Sequence, residues 1–151
     1  MTPGAGQSII WSSWAGTLAF LATAVTLAVA GRGQLGAVIV DGLLFAGGCG
    51  VFLWALALAA GRSREAEIGM GGLFFLAGSA PVRVRRLLVG SLAVETVGAL
   101  ATAAARPFTA LAFGILVPVW GLGHCGLWAA RYGEFGPRQP QSGRRAGSSR
   151  G

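Results

Sequence analysis

The sequence predicts an all-α polytopic membrane protein: a bundle of four transmembrane helices with a short re-entrant or interfacial segment between the second and third. Three observations carry this. Of 151 residues, 54% are hydrophobic and only 11% charged, which leaves too few charges to cover a water-facing globule. The apolar residues gather in runs near the roughly 20 residues that a helix needs to cross the hydrocarbon layer. The arginines fall in the connectors and the C-terminal tail, between the runs rather than within them.

Met1–Ser8 is a short polar lead, and the first span runs from Ile9 to Ala30, broken only by Ser12, Ser13, Thr17, Thr23 and Thr26. These hydroxyls can bond back to their own helix. Ala28-Val29-Ala30 resembles a signal-peptidase site. However, the lead has no basic residue and the run exceeds a signal's apolar region, so an uncleaved span is expected. Gly31–Gln34 suits a tight hairpin between antiparallel spans.

The second span runs from about Leu35 to Ala60 and carries Asp41 and the small residues Gly42, Ala46 and Gly50. A small residue at every fourth position lies along one helix face and permits close approach of a neighbour. Packing within the bundle is the expected use, and a dimerisation face the alternative. Gly61–Arg86 is the longest connector, and within it Ile68–Ala80 is short for a span. It fits a re-entrant or interfacial segment anchored by Phe74 and Phe75.

The third span, Leu87–Ala105, carries Glu95. Pro107 suits the first turn of the fourth, which runs to Ala130, and Pro118 inside it is expected to kink the helix. Trp120, Trp128, Arg131 and Tyr132 approach its far end as interfacial anchors. From Tyr132 to Gly151, the Gly/Pro/Gln/Ser/Arg composition reads as a disordered cationic tail.

Ten of the twelve arginines lie on the side shared by the termini and the long connector, against Arg32 and Arg106 on the other. This asymmetry places both termini in the cytoplasm. Arg32, just after a first span with no basic residue before it, favours the opposite insertion locally. Five spans would leave the charge balance nearly unchanged, and it is the shortness of Ile68–Ala80 that favours four. All basic residues are Arg, with no Lys or Asn, which points to a high-GC bacterial genome and so to a bacterial cytoplasmic membrane. The net charge of +7 would suggest nucleic acid in a soluble protein. Here the nearer partner is anionic lipid headgroups, contacted by Arg83, Arg85, Arg86 and Arg131, and no nucleic acid is expected.

Asp41, Glu95 and His124 are the ionisable groups inside the spans, where each costs about 2.5–3.5 kcal/mol on insertion scales and normally faces the bundle. At about 1.5 Å per residue, Glu95 and His124 lie at matching depths, roughly 12 and 9 Å from the same side. They could pair across the third and fourth spans, as a helix tie or as a proton relay. Asp41 lies near the opposite face, with Arg106 or Arg32 as its expected partner, or else in the headgroups if the helix starts later.

No metal or cofactor is expected. A single His excludes a bis-histidine haem within one chain. His124 and Cys125 point about 100° apart on a helix and do not chelate. Cys49 and Cys125 differ in depth by roughly 9 Å, too much for a disulfide. No nucleophile with a base at useful spacing, no Walker loop and no zinc signature is present.

Ala80-Pro81, Arg83-Val84-Arg85-Arg86, Ala105-Arg106-Pro107-Phe108, Leu111-Ala112-Phe113-Gly114 and Gly126–Gly133 give the segment Ser79–Arg138 a recognisable texture. It resembles the small four-helix membrane proteins of high-GC actinobacteria that carry no assigned activity. The resemblance implies a cytoplasmic-membrane protein and transfers no functional residue. The function expected is non-enzymatic: an accessory or interaction subunit packing against a larger membrane complex or against itself. The alternative is a small, oligomeric proton-linked transporter or channel using Glu95 and His124. A membrane enzyme relying on acid–base chemistry by those two residues comes third.

Overall fold

The structure is a computed structural model that describes residues 6–30, 34–105 and 109–137. It is an all-α bundle whose elements, in order, are α1 (Gln7–Ala30), α2 (Gln34–Arg62), α3 (Met70–Phe74), α4 (Val82–Ala105), a 3-10 helix (Ala110–Leu116) and α5 (Pro118–Tyr132). Four stretches, Gln7–Val29, Gln34–Arg62, Val82–Ala105 and Ala112–Tyr132, are long and apolar enough to cross a membrane. Their outward surface is that of a protein in hydrocarbon. Val29, Leu35 and Trp11 are 83%, 74% and 72% exposed, whereas Ser13, Thr17, Ser91 and Glu95 are fully buried. Water selects the reverse arrangement; lipid requires polar groups to find partners inside.

The helices extend past their apolar runs. α4 starts at Val82 rather than Leu87, with the Pro81 carbonyl accepting the Arg85 N–H at 3.0 Å. Arg83, Arg85 and Arg86 are therefore exposed on the first turns of the helix itself. The apolar run begins only at Leu87 because the first turns carry the arginines.

The fourth span differs more. Pro107 lies outside the described residues, and Pro118 does not kink a continuous α-helix but opens a new one. Lacking an N–H, Pro118 cannot bond the Gly114 carbonyl. Val117 N–H takes that oxygen at 3.0 Å, and the stretch before it winds as a 3-10 helix.

α5 is the central element, with α1, α2, α3 and α4 packed on it. Its closest neighbour is α2, and Gly48 is the reason. A Cβ at Gly48 would stand 2.7 Å from Trp120 N and 2.8 Å from Trp120 Cα, so only glycine allows this backbone approach. Gly42, Ala46 and Gly50, expected to pack within the bundle, instead face outward. A Cβ at Gly42 or Gly50 would meet nothing within 4 Å. The rotation of α2 that brings Gly48 to α5 turns that stripe away.

Ile68–Ala80 does not span. It forms α3, which docks on α5 and ends at Phe74; two residues on, Leu76 is fully buried with a left-handed φ of 52°. Phe74, expected as a lipid anchor, is buried and stacked on Phe52 with ring centroids 4.9 Å apart. Phe75 is the exposed one. Trp128 likewise fills the core instead of marking an interface.

Beyond α5, the stretch 133–137, which composition assigns to the tail, returns against the connector. Glu67 N–H donates to Gly136 O and Glu134 N–H to Ser79 O, both at 2.9 Å. The Arg62 guanidinium donates to Ala130 O at 2.8 Å and Gly133 O at 3.0 Å, and lies over the Phe135 ring at 5.6 Å. It thereby satisfies carbonyls that a helix end leaves without partners. The expected cationic tail from 138 on, and the hairpin arginines Arg32 and Arg106, lie outside the described residues.

Candidate functional site

The polar side chains of α1, α4 and α5 converge in one buried layer. Ser13 Oγ and Ser91 Oγ are 2.7 Å apart, and the Thr17 hydroxyl bonds Glu95 Oε1 at 2.6 Å. Both pairs are separated by 78 residues, so α1 and α4 run parallel with their i and i+4 positions in register. The Ser91 hydroxyl also lies 2.9 Å from Leu88 O, an acceptor only, so Ser91 donates there and Ser13 donates to Ser91.

Glu95 Oε2 accepts the Gly121 N–H at 3.0 Å. This donor is available because α5 begins tightly after Val117: the Val117 carbonyl, which the Gly121 N–H would bond in a regular α-turn, takes the Trp120 N–H at 2.8 Å instead. A Cβ at residue 121 would sit 2.6 Å from Oε2 and 3.0 Å from Leu92 Cα, so glycine is what lets the carboxyl reach the backbone.

His124 completes the layer. Its Nδ1 lies 2.8 Å from Trp120 O, which only accepts, so Nδ1 carries a hydrogen. In the neutral ring, Nε2 then accepts the Ser12 hydroxyl at 3.1 Å. The imidazole lies against the Trp120 ring, tilted by 43° with centroids 4.4 Å apart, and Trp120 Nε1 donates to Ser13 O at 3.3 Å. The indole fits because Gly16 on α1 and Gly47 on α2 leave a notch for it; a Cβ at Gly16 would overlap its Nε1.

Glu95 and His124 are thus both buried on neighbouring helices, but they do not bond each other. Each instead bonds α1 and α5. Ser12, Ser13, Thr17, Ser91, Trp120 and Gly121 are the members that sequence reasoning did not place there. The signal that could have found them is the matched i, i+4 pairs Ser13/Thr17 and Ser91/Glu95 on two spans expected to run parallel.

Asp41 stands apart. α2 starts at Gln34, so Asp41 lies about two turns inside the helix. It is 4% exposed, and its Oδ1 has no partner among the described residues. An apolar cluster including Phe20, Ala37, Leu44, Ala99 and Val117 occupies the same part of the bundle. Arg131 is exposed, with its guanidinium 5.3 Å over the Trp54 ring, as a boundary residue would be.

The chemistry open to the layer is hydrogen bonding and proton binding. Ser12 and His124 lie within nucleophile–base reach. The group orienting the imidazole is a backbone carbonyl, though, and it lacks the charge with which a carboxylate stabilises an imidazolium. Among the described residues no three His, Cys, Asp or Glu side chains gather for a metal ion, and Cys49 and Cys125 are free thiols. No protein-family model, curated protein or solved structure matches the chain.

Proposed function

We propose that this chain is a non-enzymatic subunit of a bacterial cytoplasmic membrane, with both termini in the cytoplasm, that packs against a larger membrane complex. The observation that carries this reading is the outward stripe Gly42, Ala46, Gly50, open in the folded chain. Hydrocarbon gives glycine no role on a lipid-facing helix, whereas a partner helix gains close backbone contact from it. The bundle's own close packing uses other glycines, at 16, 47, 48 and 121. Exposed Arg83, Arg85, Arg86 and Arg131 suit anionic headgroups at the boundary.

Proton-linked transport through Glu95 and His124 is the rival. It needs polar continuity to both faces. The bonds around Glu95 run to α1 and α5 on the His124 side, while the cluster of Phe20, Leu44, Ala99 and Val117 is apolar.

The test is a photo-crosslinking residue placed at Ala46 in native membranes, with Val97 on the lipid-facing side of α4 as control. Ala46 should give a protein adduct of defined mass that Gly42→Leu or Gly50→Leu abolishes, and Val97 should give lipid adducts. Lipid adducts alone at Ala46 would remove the reading. An adduct of twice the chain mass would make the partner a second copy.

A further inference from the structure

We infer that Glu95 is a proton-binding site, its carboxyl standing in the folded bundle as the neutral acid and donating its hydrogen to Thr17. This stands independently of what docks on α2. The argument is a count of hydrogens. Thr17 Oγ1 lies 2.6 Å from Glu95 Oε1 and 3.0 Å from Ser13 O. A hydroxyl has one hydrogen, and a carbonyl oxygen only accepts. If Glu95 were a carboxylate, both neighbours of Thr17 would be acceptors and its single hydrogen would have to be shared between them, as Thr23 shares its own between Ala19 O and Phe20 O, whereas the acid gives each contact a hydrogen of its own.

With the acid, all the contacts are made at once. Glu95 Oε1–H donates to Thr17, Thr17 donates to Ser13 O, and Glu95 Oε2 accepts from Gly121 N–H at 3.0 Å.

The surroundings point the same way. Glu95 is fully buried, and among the described residues it makes no ion pair. α1 presents Ser13 and Thr17 and α4 presents Ser91. α5 offers His124, whose Nδ1 hydrogen is committed to Trp120 O, and the thiol of Cys125. α2 carries Asp41, also buried. No cation among the described residues faces the carboxyl to hold it charged away from water.

The test is infrared spectroscopy of the purified chain in lipid bilayers at neutral pH. A carboxylic-acid carbonyl band should be present, lost in Glu95→Gln and kept in Asp41→Asn. Absence of the band, or its survival in Glu95→Gln, would overturn the inference.

Gln is the neutral isostere, its amide N–H donating to Thr17, so this variant should assemble as the native chain does. Should it fail to assemble, carboxyl-carbon NMR of the native chain labelled at glutamate decides. The chain has four glutamates, and Glu65, Glu67 and Glu134 are exposed. One resonance of the four should be that of an acid; four carboxylates would refute the assignment.

Discussion

Gly48→Ala is the sharpest perturbation of this bundle, because one methyl group meets backbone and not a side chain that can swing aside. The added Cβ would lie 2.7 Å from Trp120 N, 2.8 Å from Trp120 Cα and 2.9 Å from Val119 C. Ordinary contact between carbon atoms begins near about 3.5 Å, so α2 and α5 must part by roughly 0.7 Å, enough to forfeit a quarter to a half of the attraction along that seam. Overpacking of this kind costs about 1–3 kcal/mol.

Alanine also gains about 1 kcal/mol in helix propensity over glycine, which would mask part of the cost. Gly50→Ala removes that ambiguity. It is the same change on the same helix at a site where the Cβ meets nothing within 4 Å. The propensity gain cancels between the two variants, leaving Gly48→Ala less stable than Gly50→Ala by about 1–3 kcal/mol. Gly47→Ala should fall between them, since its Cβ meets only the Trp120 ring, at 3.0 Å. Reversible unfolding in mixed micelles of rising SDS fraction, followed by tryptophan fluorescence, measures all three. Equal stability of the 48 and 50 variants, or the reverse order, would refute the packing argument.

Glu95→Ala should be less costly in a Pro118→Ala background, because a helix continuous through 118 no longer leaves the Gly121 N–H for Glu95 to satisfy. A double-mutant cycle in the same assay should return a coupling of about 0.5–3 kcal/mol. Leu76→Gly relieves a left-handed backbone worth about 1–2 kcal/mol but removes a fully buried side chain worth about 2–5 kcal/mol. It should therefore lower stability, and a gain would show that backbone strain outweighs packing there. Arg62→Lys keeps the charge but loses the fork that reaches Ala130 O and Gly133 O together. Amide exchange at Glu67 and Glu134, whose N–H groups bond Gly136 O and Ser79 O, should accelerate, and unchanged exchange would mean that the neighbouring backbone bonds suffice.

The spans were legible because hydrocarbon imposes one rule on every residue in a run, and Ile9–Ala30 or Leu35–Ala60 obeys it without reference to any neighbour. Burial of Glu95 and His124 and their matching depth were legible for a similar reason: insertion cost and rise per residue are properties of a single helix. Their partners were not, since a partner depends on how far each helix is rotated about its own axis. α2 shows this plainly. It carries Gly42, Ala46 and Gly50 on one side and Gly47 and Gly48 on another, and either set could have faced α5. What selects this side is the other helix, whose backbone at Val119 and Trp120 lies against Gly48 and whose Trp120 ring lies against Gly47, and nothing within α2 encodes it.

The break at Pro118 and the acid at Glu95 read in isolation as two liabilities of a membrane helix. A helix that restarts inside the hydrocarbon leaves backbone N–H groups without partners, and a buried carboxyl needs donors where water supplies none. The fold brings the two together, with Gly121 N–H to Oε2 at 3.0 Å and glycine at 121 clearing the approach. Thr17, one turn from Ser13 on a parallel helix, occupies the other carboxyl oxygen. Each irregularity is tolerated because the other is present. That dependence gives a bundle made mostly of interchangeable Ala, Gly and Leu a single register for α1, α4 and α5, which apolar packing alone specifies weakly.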